Sequence, residues 1–192
     1  MEKVLKDLVA LTGLAKRDFQ ILQEAAPQTK LWVEDFVQIF YDTLYGYEST
    51  SHVFKEGERE AREKTLRDWY LEVAGGDLKR QNFWQHQWFV GLVHIPRKVT
   101  NTFMFSMMSK VQQHFLQKCM NTFEPTQAVA VYTSFKRVTD VIAGLIAEGY
   151  FSNYILAMEQ VAGLRPALIE RMMSIEVGKM IAEARSKMLQ PT

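Results

Sequence analysis

With 192 residues the chain is long enough for one domain with a full core and too short to expect two. Hydrophobic residues make up 47% and charged residues 23%, which describes a folded globule, and a net charge of +1 leaves no basic excess for a nucleic-acid binder. The single cysteine, Cys119, excludes an intramolecular disulfide and a cysteine-cage zinc site.

Residues 1–12 carry Glu2, Lys3, Lys6 and Asp7 among their apolar positions, so no signal pattern is expected there. No uncharged apolar run approaches the length of a membrane span, and the chain is expected to be soluble and cytoplasmic. Strand-like alternation is hard to find, whereas apolar spacings of three and four recur throughout; the fold class is all-α. A short amphipathic helix is expected over 2–12, closed by Thr12-Gly13, and a second over about 15–25 burying Phe19, Ile21 and Leu22. Pro27 is expected to open a longer helix, about 28–46, with Leu31, Trp32, Phe36, Ile39, Phe40, Thr43 and Leu44 as its buried stripe and Tyr41 beside it. His52 and Phe54 fall in a connecting segment. A helix from about Glu58 to Val73 turns Thr65, Leu66, Trp69 and Tyr70 inward and stops at Gly75-Gly76.

The next helix, from about Leu78, carries the most informative stretch. Trp84, Phe89, Val90, Gly91, Leu92 and Val93 lead to His94, and Ile95-Pro96 ends the helix at that histidine. A neutral imidazole on the last turn of an apolar helix is well placed to bind a metal. Gly91, one turn back, removes a side chain, so that a flat ligand could approach the helix; haem held by one histidine fits. A core histidine bonded to a backbone carbonyl fits the same stretch. Long helices follow over about 98–122, with Met104, Met107, Met108 and Phe115, and from Pro125 to beyond Tyr150, with Val129, Phe135, Ile142, Leu145 and Ile146. One or two helices around Arg165-Pro166 complete the chain.

The order of these elements and the phrases DFVQIFYDTLYG, VGLVHIPRKV and KRVTDVIAGLIAEGY resemble the globin-coupled sensor and protoglobin family. In that family a Phe-Tyr or Trp-Tyr pair is followed about fifty residues later by Gly-x-x-His, as Phe40-Tyr41 is here by Gly91-Leu92-Val93-His94. The resemblance covers roughly residues 1–155 and implies a globin fold with an additional N-terminal helix, leaving 156–192 as a C-terminal helical extension or linker. It implies haem b (iron protoporphyrin IX), with His94 as the proximal iron ligand. Tyr41 would be the distal donor to a bound gas and Phe40 a wall aromatic, while Thr65 and Leu66 would lie on the distal helix. Members often carry an aromatic pair beyond the proximal histidine, where this chain has Phe103-Met104.

Around those residues, Phe54, Trp69, Val90, Met104 and Met108 are candidates for the pocket wall, although methionine at helical spacing is usually core packing. Arg97 is a candidate partner for a haem propionate. His86, His52 and His114 are the other histidines, with His86 and His52 expected at the surface. The resemblance implies a sensor of a diatomic gas, oxygen before nitric oxide or carbon monoxide, that dimerises through helices 98–122 and 126–155. No output module is recognisable, so the chain reads as a stand-alone sensor or the sensing portion of a longer protein with a signalling partner or fused output domain. Two other classes remain open: a haem enzyme acting on nitric oxide with oxygen, or on peroxide, and a haem-free globin scaffold in a signalling complex.

Overall fold

The longest helix of the computed structural model, α8 (Pro125–Ala162), supplies the centre of the core. Val131, Phe135, Val138, Ile142 and Leu145 recur on it at spacings of three and four and are fully buried. The structure describes residues 1–51, 57–78, 82–163 and 165–188. Among these the other helices are α1 (Glu2–Thr12), α2 (Lys16–Thr29), α3 (Val33–Gly46), α4 (Glu48–Ser51), α5 (Arg59–Ala74), α6 (Phe83–His94), α7 (Asn101–Thr122) and α9 (Pro166–Met188). A 3₁₀ turn, Lys30–Trp32, joins α2 to α3, and no strand occurs among the described residues. Chain contacts define two units, Met1–Phe151 and Ser152–Thr192.

In the first unit the Phe115 ring of α7 stacks on Phe135 at 3.7 Å, and Trp32 meets Phe115 edge-on at 5.4 Å. Val4, Leu5, Leu8 and Val9 of α1 pack half-buried against this core. Cys119 is a buried core residue whose thiol burial pushes up to about 12, so it stays protonated and unreactive.

Several sequence expectations shift by a turn or a face. Pro27 does not open a helix; it lies inside the last turn of α2, which runs on to Thr29. That end is held from outside, since the Tyr70 hydroxyl donates to the Thr29 carbonyl at 2.8 Å and the Thr29 hydroxyl donates to the Ala74 carbonyl at 3.2 Å. The helix therefore continues past the proline and tightens into the 3₁₀ turn instead of restarting. Leu31 and Thr43 end exposed, and Tyr41 lies within the buried face of α3 with Phe36, Val37 and Leu44. On α8, Val129 is exposed because the buried register runs through Val131.

By length and composition α8 is also apolar enough to cross a membrane, and a third of its most apolar window is buried. Its apolar side chains from Val131 to Ile146 are the globule's own core. In the second unit, α9 begins on Pro166, a residue suited to a first helical position, and leaves Leu168, Met172, Met173, Ile175 and Met180 exposed.

One polar anchor fastens α2 to α8. Asp18 is 1% exposed and accepts from the Ala15 amide at 2.8 Å, the Ser134 hydroxyl at 3.0 Å and the Arg137 guanidinium at 3.0 Å. Asp18→Ala leaves three donors without their acceptor. It is expected to cost about 3 kcal/mol, the low end for a broken buried pair because Arg137 keeps some contact with water. Urea unfolding of the two proteins measures this, and a loss near zero would show the anchor to be replaceable.

Candidate functional site

The apolar helix α6 stops on His94 because the chain folds back immediately behind it. The Val99 amide donates to the His94 carbonyl at 3.1 Å and the Lys98 amide donates to the Ile95 carbonyl at 3.1 Å. Lys98 takes a left-handed backbone, φ 57°, which a side chain-bearing residue rarely adopts and which this tight corner imposes. The backbone carbonyl of His94 is thus satisfied within the corner.

The His94 ring is half-buried, and among the described residues it makes no hydrogen bond. A core histidine bonded to a carbonyl is therefore not the arrangement found among them. Burial, and secondarily the Arg97 guanidinium, lower its pKa from 6.5 to about 4. The imidazole is neutral at physiological pH, with a lone pair not taken up by any described donor. A proton-linkage test follows. The unfolded chain takes up a proton near pH 6.5 and the folded chain only near pH 4, so this histidine's contribution to stability is present above pH 6.5 and lost as pH falls towards 4. Haem-free wild type should lose stability relative to haem-free His94→Ala across that window, and parallel pH profiles would show that His94 is not desolvated.

Gly91 requires a correction. A Cβ there would collide with the Ile146 carbonyl oxygen and stand 2.6 Å from the Tyr150 amide nitrogen. The reverse holds at Gly149, where a Cβ would lie 2.5 Å from the Trp88 carbonyl oxygen. The space Gly91 leaves is filled by the backbone of α8, not kept clear for a flat ligand. Sequence spacing placed the glycine on a face shared with His94, but could not say which neighbour covers that face.

A second apolar wall forms where α3 meets α5. Tyr41 is 5% exposed, with the half-buried Phe40 ring edge-on at 5.3 Å and Tyr45 at 6.3 Å. Phe36 joins this wall to α5, stacking on Trp69 at 6.3 Å and on Tyr70 at 4.4 Å. Leu66 and Trp69 pack half-buried against the same core. Burial raises the Tyr41 pKa above the usual phenol value, and the Arg62 guanidinium opposes that shift. The hydroxyl is a proton donor at every physiological pH. Thr65, expected on this wall, is exposed and gives its hydroxyl to the Ala61 carbonyl at 3.0 Å.

The remaining expected residues divide by neighbourhood. Met104 is buried and Val90 half-buried against the core, whereas Met108 lines a groove between α7 and α8 with Phe105, Gln112 and Asp140. Arg97, the candidate propionate partner, gives both arms of its guanidinium to Glu58, at 3.0 Å each. His86 is exposed; Phe54 and His52 lie outside the described residues. Two residues take on more weight in the structure than in the sequence. Glu58 was visible only as the boundary of a helix. His114 is half-buried behind the Phe36–Phe40 wall, with its Nε2 enclosed and lacking a hydrogen-bond partner. Among the described residues no three His, Cys, Asp or Glu side chains converge to hold a metal.

Comparison with known proteins adds a family and a fold. The sequence model of the Protoglobin family matches residues 1–155. Among solved structures the chain is similar to the globin domain of the Geobacter sulfurreducens globin-coupled sensor, with a TM-score of 0.69 and 18% sequence identity. That match covers 76% of this chain and 96% of the other. No curated protein matches the sequence.

Proposed function

This chain belongs to the protoglobin family over residues 1–155, and from that premise we propose that it is a haem-binding globin that senses a diatomic gas, oxygen before nitric oxide or carbon monoxide. The observation that carries the reading is the neutral, half-buried His94 imidazole at the end of α6, with no hydrogen-bond partner among the described residues. A lone imidazole cannot hold iron against water, but haem b would supply an iron already bound by four ring nitrogens and would need only one more. The donor chemistry at His94 fits that requirement.

The other residues take roles their surroundings support. Tyr41 offers a buried, protonated hydroxyl to the gas, and dioxygen, which draws charge outward, gains more from such a donor than carbon monoxide does. Phe40, Leu66, Trp69 and Met104, half-buried or buried in the core, would supply apolar wall. Catalysis on peroxide would ask for an acid–base pair working near neutral pH; a tyrosine pushed to higher pKa by burial is a donor and no base. Sensing therefore suits the site better than turnover. Titrating the haem-free protein with haem b and following the Soret band tests the reading, with saturation at one haem per chain expected and featureless, unsaturable absorbance counting against it.

For signalling we propose a cytoplasmic homodimer through α7 and α8, with residues 156–192 relaying to a partner or a fused output domain. Leu145 and Ile146, both buried, belong to the core and not to such an interface. Phe105 and Val129 are exposed on the two helices, and Phe105 lines the groove between them. Phe105→Glu should weaken the dimer by about tenfold or more, since a desolvated, unpaired carboxylate is costly. Sedimentation velocity of both proteins reads this, and a monomeric wild type at micromolar concentration would exclude the dimer.

A further inference from the structure

We propose that Glu58 is a positioning residue for the proximal corner: through its paired bonds to Arg97 it holds the turn behind His94 against the start of α5, and so fixes where the imidazole stands relative to the Tyr41 wall. The inference rests on the haem reading above and deepens it.

Three observations carry it. The pair is two-pronged, Arg97 Nη1 to Glu58 Oε2 and Nη2 to Oε1, both at 3.0 Å. Its side chains are only 27% and 24% exposed, so solvent and salt screen it less than an ordinary surface pair. At the Arg97 end, the Lys98–Ile95 and Val99–His94 backbone bonds draw the corner together and tie the segment carrying Arg97 back to His94. At the Glu58 end, the first turn of α5 is itself pinned to α3. Arg59 donates to Asp42, the residue after Tyr41, at 2.8 Å and to Glu63 at 2.6 Å, and its guanidinium lies over the Tyr45 ring at 5.1 Å. Arg62 completes the series, 3.7 Å from Glu58 and close enough to act electrostatically on Tyr41. A run of charge pairs thus leads from the residue beside Tyr41 to the residue three beyond His94.

The arrangement also bears on Arg97. A haem propionate would have to compete with Glu58 for the same two-pronged donor, so Arg97 is committed to the corner and the propionates are left to other cations or to water.

The test uses Glu58→Gln, Arg97→Glu and the exchanged pair Glu58→Arg/Arg97→Glu. In haem-free protein, hydrogen exchange at the Lys98 and Val99 amides is expected to rise about three- to tenfold in each single variant, the range for losing a partly buried charge pair. In haem-loaded protein, transfer of haem to excess apoglobin should quicken by a similar factor. The exchanged pair should return both readouts to within about twofold of wild type, a rescue that mere damage to the fold would not produce. Unchanged exchange in Glu58→Gln, or an exchanged pair as impaired as the single variants, overturns the proposal. Failure of wild type to bind haem would overturn the haem reading separately, because the exchange measurement in haem-free protein still reports on the pair.

Discussion

His94→Ala is expected to abolish stoichiometric haem binding. The ring it removes is the neutral, half-buried imidazole at the α6 terminus, the group proposed to bind the iron. Only weak, exchangeable haem should remain, with a broadened Soret band. Free imidazole added to the variant should enter the space the ring vacates and restore much of the ferrous spectrum, which links the loss to the missing nitrogen. His86→Ala, altering an exposed side chain on the same helix, should bind haem as wild type does. A His94→Ala protein with the wild-type ferrous spectrum would sink the assignment and turn attention to His114, whose enclosed Nε2 is also unpartnered.

Tyr41→Phe should speed dioxygen release. The substitution deletes one hydroxyl and keeps the ring, so the edge contact with Phe40 and the packing of α3 survive. A hydrogen bond to a partly charged acceptor is worth roughly 1.5–3 kcal/mol, which corresponds to release about ten- to a hundredfold faster at about 1.4 kcal/mol per decade. Carbon monoxide is a poorer acceptor, and its release should change much less. Because burial raises the Tyr41 pKa, the effect should be constant through neutral pH and not titrate away. Stopped-flow displacement of both gases decides the matter. Equal dioxygen rates in the two proteins would mean that the hydroxyl serves another acceptor.

The core helices were legible in the sequence because burial imposes its period on them: the α8 stripe from Phe135 to Ile146 could be read directly. Their ends were less so. Pro27 is a helix-opening signal in isolation, but here Tyr70, far along the chain, satisfies the carbonyl of Thr29 and carries the helix past it. The apolar wall around Phe40 and Trp69 followed from pattern, whereas the burial of Tyr41 depended on which way α3 rolls against its neighbours. Glu58 was invisible for a related reason. An acidic residue ahead of a helix looks like any favourable terminal charge until the fold brings an arginine from another corner against it. Spacing reports what one element wants; partners across the fold are set by tertiary packing.

The contact of Gly91 with Gly149 has a mechanical meaning. Two packed side chains form a joint with play in it, because each can change rotamer and absorb a small displacement before passing it on. Where α6 crosses α8 there is no such cushion, as main chain lies directly against main chain. A shift of α6 along its axis, of the kind a pull on His94 would produce, cannot be taken up locally and must either be resisted or delivered to α8 at full amplitude. The crossing behaves as a bearing without slack, in which neither helix can shift without the other answering.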